Sequence, residues 1–351
     1  MVKRNFLRLG MLAVSCMAAE IAPPESGLVV HEWGTFTTVA DQAGNSMAWL
    51  PLAAPSDVPC FVHRFNGQNL KFISYDKVRM ETPVIYFYAA HPMTASVTVE
   101  FPNGRITEWY PQASRQESVG AANTIAWSQI QLSSSRPVLP QEGKPSHYYA
   151  ARETDAMTVQ TKDGERDRMI FYRGVGDFAI PLHPVVTADA KVGQVPPVNS
   201  FVFENRGKND GDAEVVRKQL YEALLDSGLY PKEAHAMLET WRDSWFEEGL
   251  RVFYIVPREM VDSVLPIAIS PRPDKLVRTF VGRIELLAPW MRDEIDTAMK
   301  TGDLETLSRR GRFLEAFLKQ MGNQPHSAGV QAWLDAKRNE GSRKAFSGVC
   351  E

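Results

Sequence analysis

The chain has 351 residues, 44% of them hydrophobic and 23% charged, with a formal net charge of −3. That apolar share supports one large core or two modest ones. The mildly acidic balance excludes the dense cationic surface that neutralises phosphates in a nucleic-acid binder, and without a run of 18 apolar residues no membrane span is expected.

Residues 1–19 read as a signal segment. Lys3, Arg4 and Arg8 form a basic head, residues 9–14 a short apolar middle, and Ser15, Cys16, Met17, Ala18 and Ala19 a small-residue end. Removing them takes away three basic residues and no acidic one, so the net charge goes from −3 to −6. Two processing routes stay open: cleavage after Ala18 or Ala19, or lipidation at Cys16 through the loose lipobox Ala13-Val14-Ser15-Cys16. Residues 20–26 form a flexible leader. With Cys16 removed or lipidated, Cys60 and Cys350 remain; a bridge between them and two unrelated thiols fit the sequence equally well.

Residues 27–207 have the texture of a β-rich body. Aromatic and β-branched runs at 28–39, 84–89, 96–101, 105–110, 124–132, 157–161, 168–175 and 198–204 alternate with Gly, Pro, Asn and Asp clusters. Pro102-Asn103-Gly104-Arg105 and Lys162-Asp163-Gly164-Glu165 carry hairpin turn chemistry. In a two-residue hairpin at Asn103-Gly104, Val99 faces Glu108, and Glu108 shares the inward face with Val97, Phe101, Ile106 and Tyr110. A one-residue bulge would instead turn Glu108 to water.

From residue 208 to 351 the pattern becomes mostly helical. Helices are expected at 213–226, 231–248, 289–300, 303–321 and 329–337, with late strands at 250–256 and 276–287. Ala234, Met237, Leu238, Trp241 and Trp245 make a core-facing helical stripe, which accounts for both tryptophans. The fold class is therefore α+β: a sandwich-like body followed by helices and two late strands, packed as one unit. Whether those strands join the first sheet is not legible.

Motifs with established chemistry fail in context. Gly174-Val175-Gly176-Asp177-Phe178-Ala179 resembles a dinucleotide fingerprint, but Pro181 and Pro184 forbid the helix it needs. Ser74-Tyr75-Asp76-Lys77 matches an acyl-serine pattern without its helix. The seven histidines form no ligand pair, so neither a metal nor a cofactor is expected. What remains is a set of charges embedded in apolar strands: Glu32, Arg79, Glu81, Glu108, Arg173, Glu204, Arg206, Arg251, Arg283 and Glu285. Spacing of two residues puts Arg79 with Glu81, Glu204 with Arg206, and Arg283 with Glu285 on shared strand faces.

Six stretches carry a resemblance. They are HEWGTFTTV from His31, KVRMETPVIYFY from Lys77, TEWYP from Thr107, FYRGVG from Phe171, FENRG from Phe203 and WRDSWFEEG from Trp241. The chain resembles a family of exported bacterial proteins to which no activity is attached. The resemblance implies export and a single co-folded unit, and it supplies no catalytic residue.

The expectation is an exported cell-envelope protein that binds a polar, glycan-like ligand in a cleft of carboxylates, arginines and aromatics. Arg79, Arg173, His31 and Glu32 are the candidate ligand contacts. The alternative is an extracytoplasmic hydrolase with Glu108 or Glu81 as general acid or base. The signal grammar predicts a mature N-terminus between residues 16 and 23. N-terminal sequencing of protein from its native host checks this, and a retained Met1 would disprove it.

Overall fold

The computed structural model describes residues 26–52, 58–65, 75–119, 122–189, 191–196, 199–207, 211–322 and 325–344. The signal segment, the leader up to Glu25, Ser74, residues 208–210 and Cys350 lie outside them. Cys60 is disulfide-bonded.

The chain is α+β. The strands of its two main sheets include β1 (Leu28–Ala40), β2 (Val78–Ala89), β3 (Met93–Glu100), β4 (Gly104–Tyr110), β5 (Ala122–Ser133), β6 (Ile170–Gly176), β7 (Ser200–Asn205), β8 (Gly249–Ile255), β9 (Ile267–Ser270) and β10 (Lys275–Leu286). The central sheet runs β7-β8-β10-β1-β2-β6-β4 and ends on the short strand His63–Arg64. The late strands thus join the first sheet. β10 lies parallel to β1, from Val29 opposite Lys275 to Val39 opposite Glu285. The smaller sheet places β3 between β9 and β5 and continues through Thr158–Gln160 and Arg166–Asp167.

Among the described residues, eight α-helices complete the fold: α1 (Gly211–Asp226), α2 (Pro231–Thr240), α3 (Arg242–Trp245), α4 (Arg258–Val264), α5 (Pro289–Thr301), α6 (Leu304–Ser308), α7 (Leu314–Met321) and α8 (Ala328–Lys344). The central sheet is the middle layer. One face packs Val30, Phe36, Ile85, Tyr172 and Ile284 against Val97, Val99 and Trp127 of the smaller sheet and against α4, α5 and α7. The other packs Trp33, Val84, Phe171, Phe253 and Val281 against α1, α2, α3 and the 3-10 turn His147–Arg152. Because both faces are covered, β1 is buried at nearly every position and reads as a continuous run instead of an alternating one.

Several expectations change. The expected helix 303–321 divides into α6, a 3-10 turn at Gly311–Phe313 and α7. The Asn103-Gly104 turn does not close a hairpin. Gly104 N–H bonds the Phe101 carbonyl, but β3 belongs to the smaller sheet and β4 to the central one, so the turn carries the chain between layers. Local turn chemistry sets the reversal; apolar burial on both sides decides which sheet each arm joins. The expected helix 231–248 breaks at Trp241 (φ −109°, ψ 9°) into α2 and α3, and strand β8 begins at Gly249. The Asp163-Gly164 hairpin forms as expected, with Gly164 at φ 86° and Gln160 opposite Arg166.

Bulges set the faces of the embedded charges. In β2 the register against β1 slips between Val84 and Glu81, at Thr82 (φ 47°) and Pro83. Parity reverses there, so Arg79 and Glu81 join the face of Val84 and Tyr86. In β4 a second slip lies between Ile106 and Glu108, opposite Gly174 and Arg173. Ile106 therefore faces the smaller sheet and Glu108 the opposite side. At this crossing a Cβ on residue 174 would stand 2.1 Å from the Arg105 carbonyl oxygen, so only glycine fits.

Candidate functional site

The helix-covered face of the central sheet carries a belt of charge across six adjacent strands. In strand order it runs Arg251 on β8, Glu285 and Arg283 on β10, Thr35 and Thr37 on β1, Arg79 and Glu81 on β2, Arg173 on β6 and Glu108 on β4. All are buried. Arg251 Nε donates to Glu285 Oε1 at 2.8 Å and Arg283 Nε to the same oxygen at 2.6 Å. Arg283 also reaches Glu247 (2.8 Å). Arg251 is further fixed by the carbonyls of Trp245, Glu247 and Glu248. On β2, Glu81 takes Arg312 at 2.7 Å and lies 3.9 Å from Arg79, which also donates to the Pro51 carbonyl. Arg173 grips Glu108 with two bonds, 2.7 and 2.9 Å, and the Thr107 hydroxyl adds a third at 2.8 Å.

The belt keeps its carboxylates ionised. Burial opposes the charge on Glu81, but the guanidinium groups of Arg312 and Arg79 outweigh it and hold the carboxyl at about 2. Glu108 is lowered in the same way: Arg173 overcomes the cost of burial. For Glu285, Arg251 and Arg283 do so. Thr37 sits opposite both Arg283 and Arg79. This neutral residue keeps the two guanidinium groups two strands apart, about 10 Å instead of about 5 Å, roughly halving their repulsion.

The structure brings Arg79, Glu81, Arg173 and Glu108 onto one face, as saturated pairs and not as a cleft. His31 and Glu32 do not join them. Glu32 points to the opposite face, where it binds Arg278 and accepts from the Tyr172 hydroxyl; Arg278 continues to Asp262 at 2.7 Å. His31, fully buried, holds α2 to the sheet: its Nδ1 lies 2.7 Å from Glu233 Oε2. Glu233 also accepts from the Tyr88 hydroxyl and the Tyr230 backbone N–H, both at 2.7 Å. The Glu233 carboxylate is thereby spent on positioning α2.

An open polar cleft lies elsewhere. A depression of about 460 Å³ is lined by Arg136, Val138, Leu139, Gln141, Arg152, Glu153, Thr154, Asp155 and Arg168. The 3-10 turn His147–Arg152, capped by the Ser146 hydroxyl, presents Arg152 in its last turn. Arg152 is locked: Nε and Nη2 bond Asp167 at 2.9 and 2.6 Å, and Nη1 bonds the Pro140 carbonyl at 2.6 Å. The rings of Phe61, Tyr148 and Tyr149 stand 5.1–5.6 Å from its guanidinium. The Asp163-Gly164 hairpin brings Arg168 to the same rim. Arg136 bonds the Ala156 carbonyl through Nη1 alone, and Asp155 pairs with Lys232 at 2.6 Å. Sequence reasoning passed over these residues because Arg136 and Gln141 sit in a Ser-, Gln- and Pro-rich loop, Arg152–Asp155 in a short turn and Arg168 at the edge of an expected strand, where no periodicity singles them out. The only signal was the recurrence of arginine at 136, 152, 166 and 168.

No protein-family model, curated protein or solved structure matches the chain. Among the described residues no helix is long and apolar enough to cross a membrane, and no cluster of three metal-ligating side chains forms.

Two outcomes follow from the belt. Glu108→Gln leaves Arg173 buried without its counter-charge, a loss of about 3–5 kcal/mol, and should lower the melting temperature by several degrees. An unchanged melting temperature would remove Glu108 from the structural framework. For Glu81, the folded carboxyl at about 2 lies below its ordinary 4.5. The associated stabilisation, about 3 kcal/mol, is complete above pH 4.5 and disappears as pH falls towards 2. Denaturant titrations from pH 6 to 2.5 should show that slope in the parent chain and a shallower one in Glu81→Gln; parallel slopes would refute the assignment.

Proposed function

We propose that this is an exported cell-envelope protein that binds a polar, glycan-like ligand in the cleft beside the 3-10 turn, without transforming it. Export rests on the tripartite segment 1–19, with release after Ala18 or Ala19 or anchoring at Cys16 as its two forms. The observation that carries the binding reading is the contrast between the belt and the cleft. The belt's carboxylates and arginines satisfy one another, whereas Arg136, Glu153 and Arg168 line an open polar depression of about 460 Å³. Polar groups held at the rim by a locked arginine and its aromatic collar form a pre-arranged surface for hydroxyls.

The hydrolase reading needs Glu108 or Glu81 to hold a proton near neutral pH or to approach a substrate. Both are ionised and enclosed by arginines, so the geometry favours binding. The test is a thermal-shift panel of neutral and acidic oligosaccharides on the mature chain. Gln141, exposed in the cleft, is replaced in a companion variant, Gln141→Trp, whose indole narrows the depression. The expected result is a stabilising saccharide whose effect vanishes in Gln141→Trp. A panel without any stabilising saccharide, or a shift that survives the substitution, would overturn the proposal.

A further inference from the structure

Charge in the cleft discriminates among polar ligands. Arg152 is cancelled by the buried Asp167 beneath it, and Asp155 by Lys232. Arg136, Arg168 and Glu153 remain. Arg136 has one of its nitrogens committed to the Ala156 carbonyl, and the Arg168 side chain makes no hydrogen bond or ion pair among the described residues. Two guanidinium groups against one carboxylate leave the depression with a local surplus of one positive charge. Guanidinium forks match the planar pair of oxygens in a carboxylate, while an ionised acid accepts from hydroxyls and repels further anionic charge.

We infer that the cleft takes a ligand bearing a single carboxylate beside several hydroxyls, the chemistry of an acidic sugar residue. This inference rests on the binding reading above and names its ligand class. Arg136 and Arg168 receive the carboxylate. Glu153 accepts hydroxyl protons from the same residue, and the Thr154 hydroxyl, on the cleft wall, adds a short polar contact. A phosphate or sulfate ester offers three oxygens in a tetrahedral array. A doubly charged phosphate would also meet Glu153 with a larger repulsion and exceed the local surplus. A neutral sugar would leave the two arginines without a counter-charge. The surplus charge is exposed, so binding weakens as salt screens it.

The experiment is calorimetric titration of the mature chain with a trimer in which one sugar of the three is galacturonate and the others are neutral, and with its methyl ester, which keeps size and hydroxyls and removes the single charge. The acid form should bind at least tenfold more tightly at low salt, and 0.5 M NaCl should erase most of that preference. Arg136→Gln and Arg168→Gln should each reduce the acid form's affinity several-fold and the ester's to a lesser extent, so that the preference for the acid shrinks. Equal affinity for acid and ester would overturn the carboxylate inference and leave the saccharide-binding reading standing. Inorganic phosphate displacing the trimer at equal concentration would overturn it as well, in favour of a general oxyanion site. Binding of neither trimer at millimolar concentration would overturn it too. The reading itself falls if the wider saccharide panel is also silent or its shift survives Gln141→Trp.

Discussion

A guanidinium group buried in a sheet must find a carboxylate or carbonyl oxygens within hydrogen-bonding distance, and this requirement governs the middle of the molecule. Arg251, Arg283 and Arg173 are each about 1% exposed. Removing a partner from any of them leaves a charge in a poorly solvating interior, a penalty of several kcal/mol. The belt therefore restricts how the six strands can be aligned. Glu285 has to lie across from Arg251 on β8, and Glu108 across from Arg173 on β6. A slip of one residue in either register would turn every charge of that strand to the other face. An all-apolar belt would be equally or more stable, but it would tolerate neighbouring registers.

The same requirement recruits the flanking elements. Arg251 uses carbonyls where α3 gives way to β8, so the break at Trp241 and the early end of the helix are part of its coordination. Arg312 comes from the 3-10 turn before α7 to close Glu81, and Phe313 beside it stands 5.2 Å from the Arg283 guanidinium. The helices are thus attached by specific polar contacts to the sheet as well as by apolar packing. His31 does the equivalent for α2 through Glu233. Away from these ties, in the loops that follow the smaller sheet, Arg136 and Arg168 carry lighter obligations. Binding chemistry can reside there without endangering the core.

Legibility followed the range of the interaction concerned. The i,i+2 spacing of Arg79 with Glu81, Arg283 with Glu285 and Glu204 with Arg206 was sufficient to place each pair on one face, and each forms an ion pair. The Trp241 and Trp245 stripe was likewise local, and both rings are buried against the sheet. Partners distant in the chain were not readable: Glu233 lies 202 residues from His31 and Arg278 lies 246 from Glu32. The bulges at Thr82–Pro83 and before Glu108 reverse parity without any pattern that period-two reasoning detects. The burial of Glu108 was anticipated, but from a hairpin that does not exist and on the face of Ile106, whereas Glu108 lies on the opposite face. Arg173 and the bulge put it there. Short elements such as α4 and β9 fall below the length at which periodicity carries a signal.

The parallel pairing of β1 with β10 has a consequence for the order of events in biosynthesis. A chain made from its N-terminus displays β1 early, with one of its two flanks without a neighbour until residues 275–286 have been completed. Contacts across nearly 250 residues cannot form cotranslationally in small steps. The seam between β1 and β10 is therefore closed late, although β1 also has its early neighbour β2. A nascent chain with this topology keeps that flank of β1 open for most of its synthesis. Its chief hazard in that interval is strand-to-strand association through the waiting flank of β1.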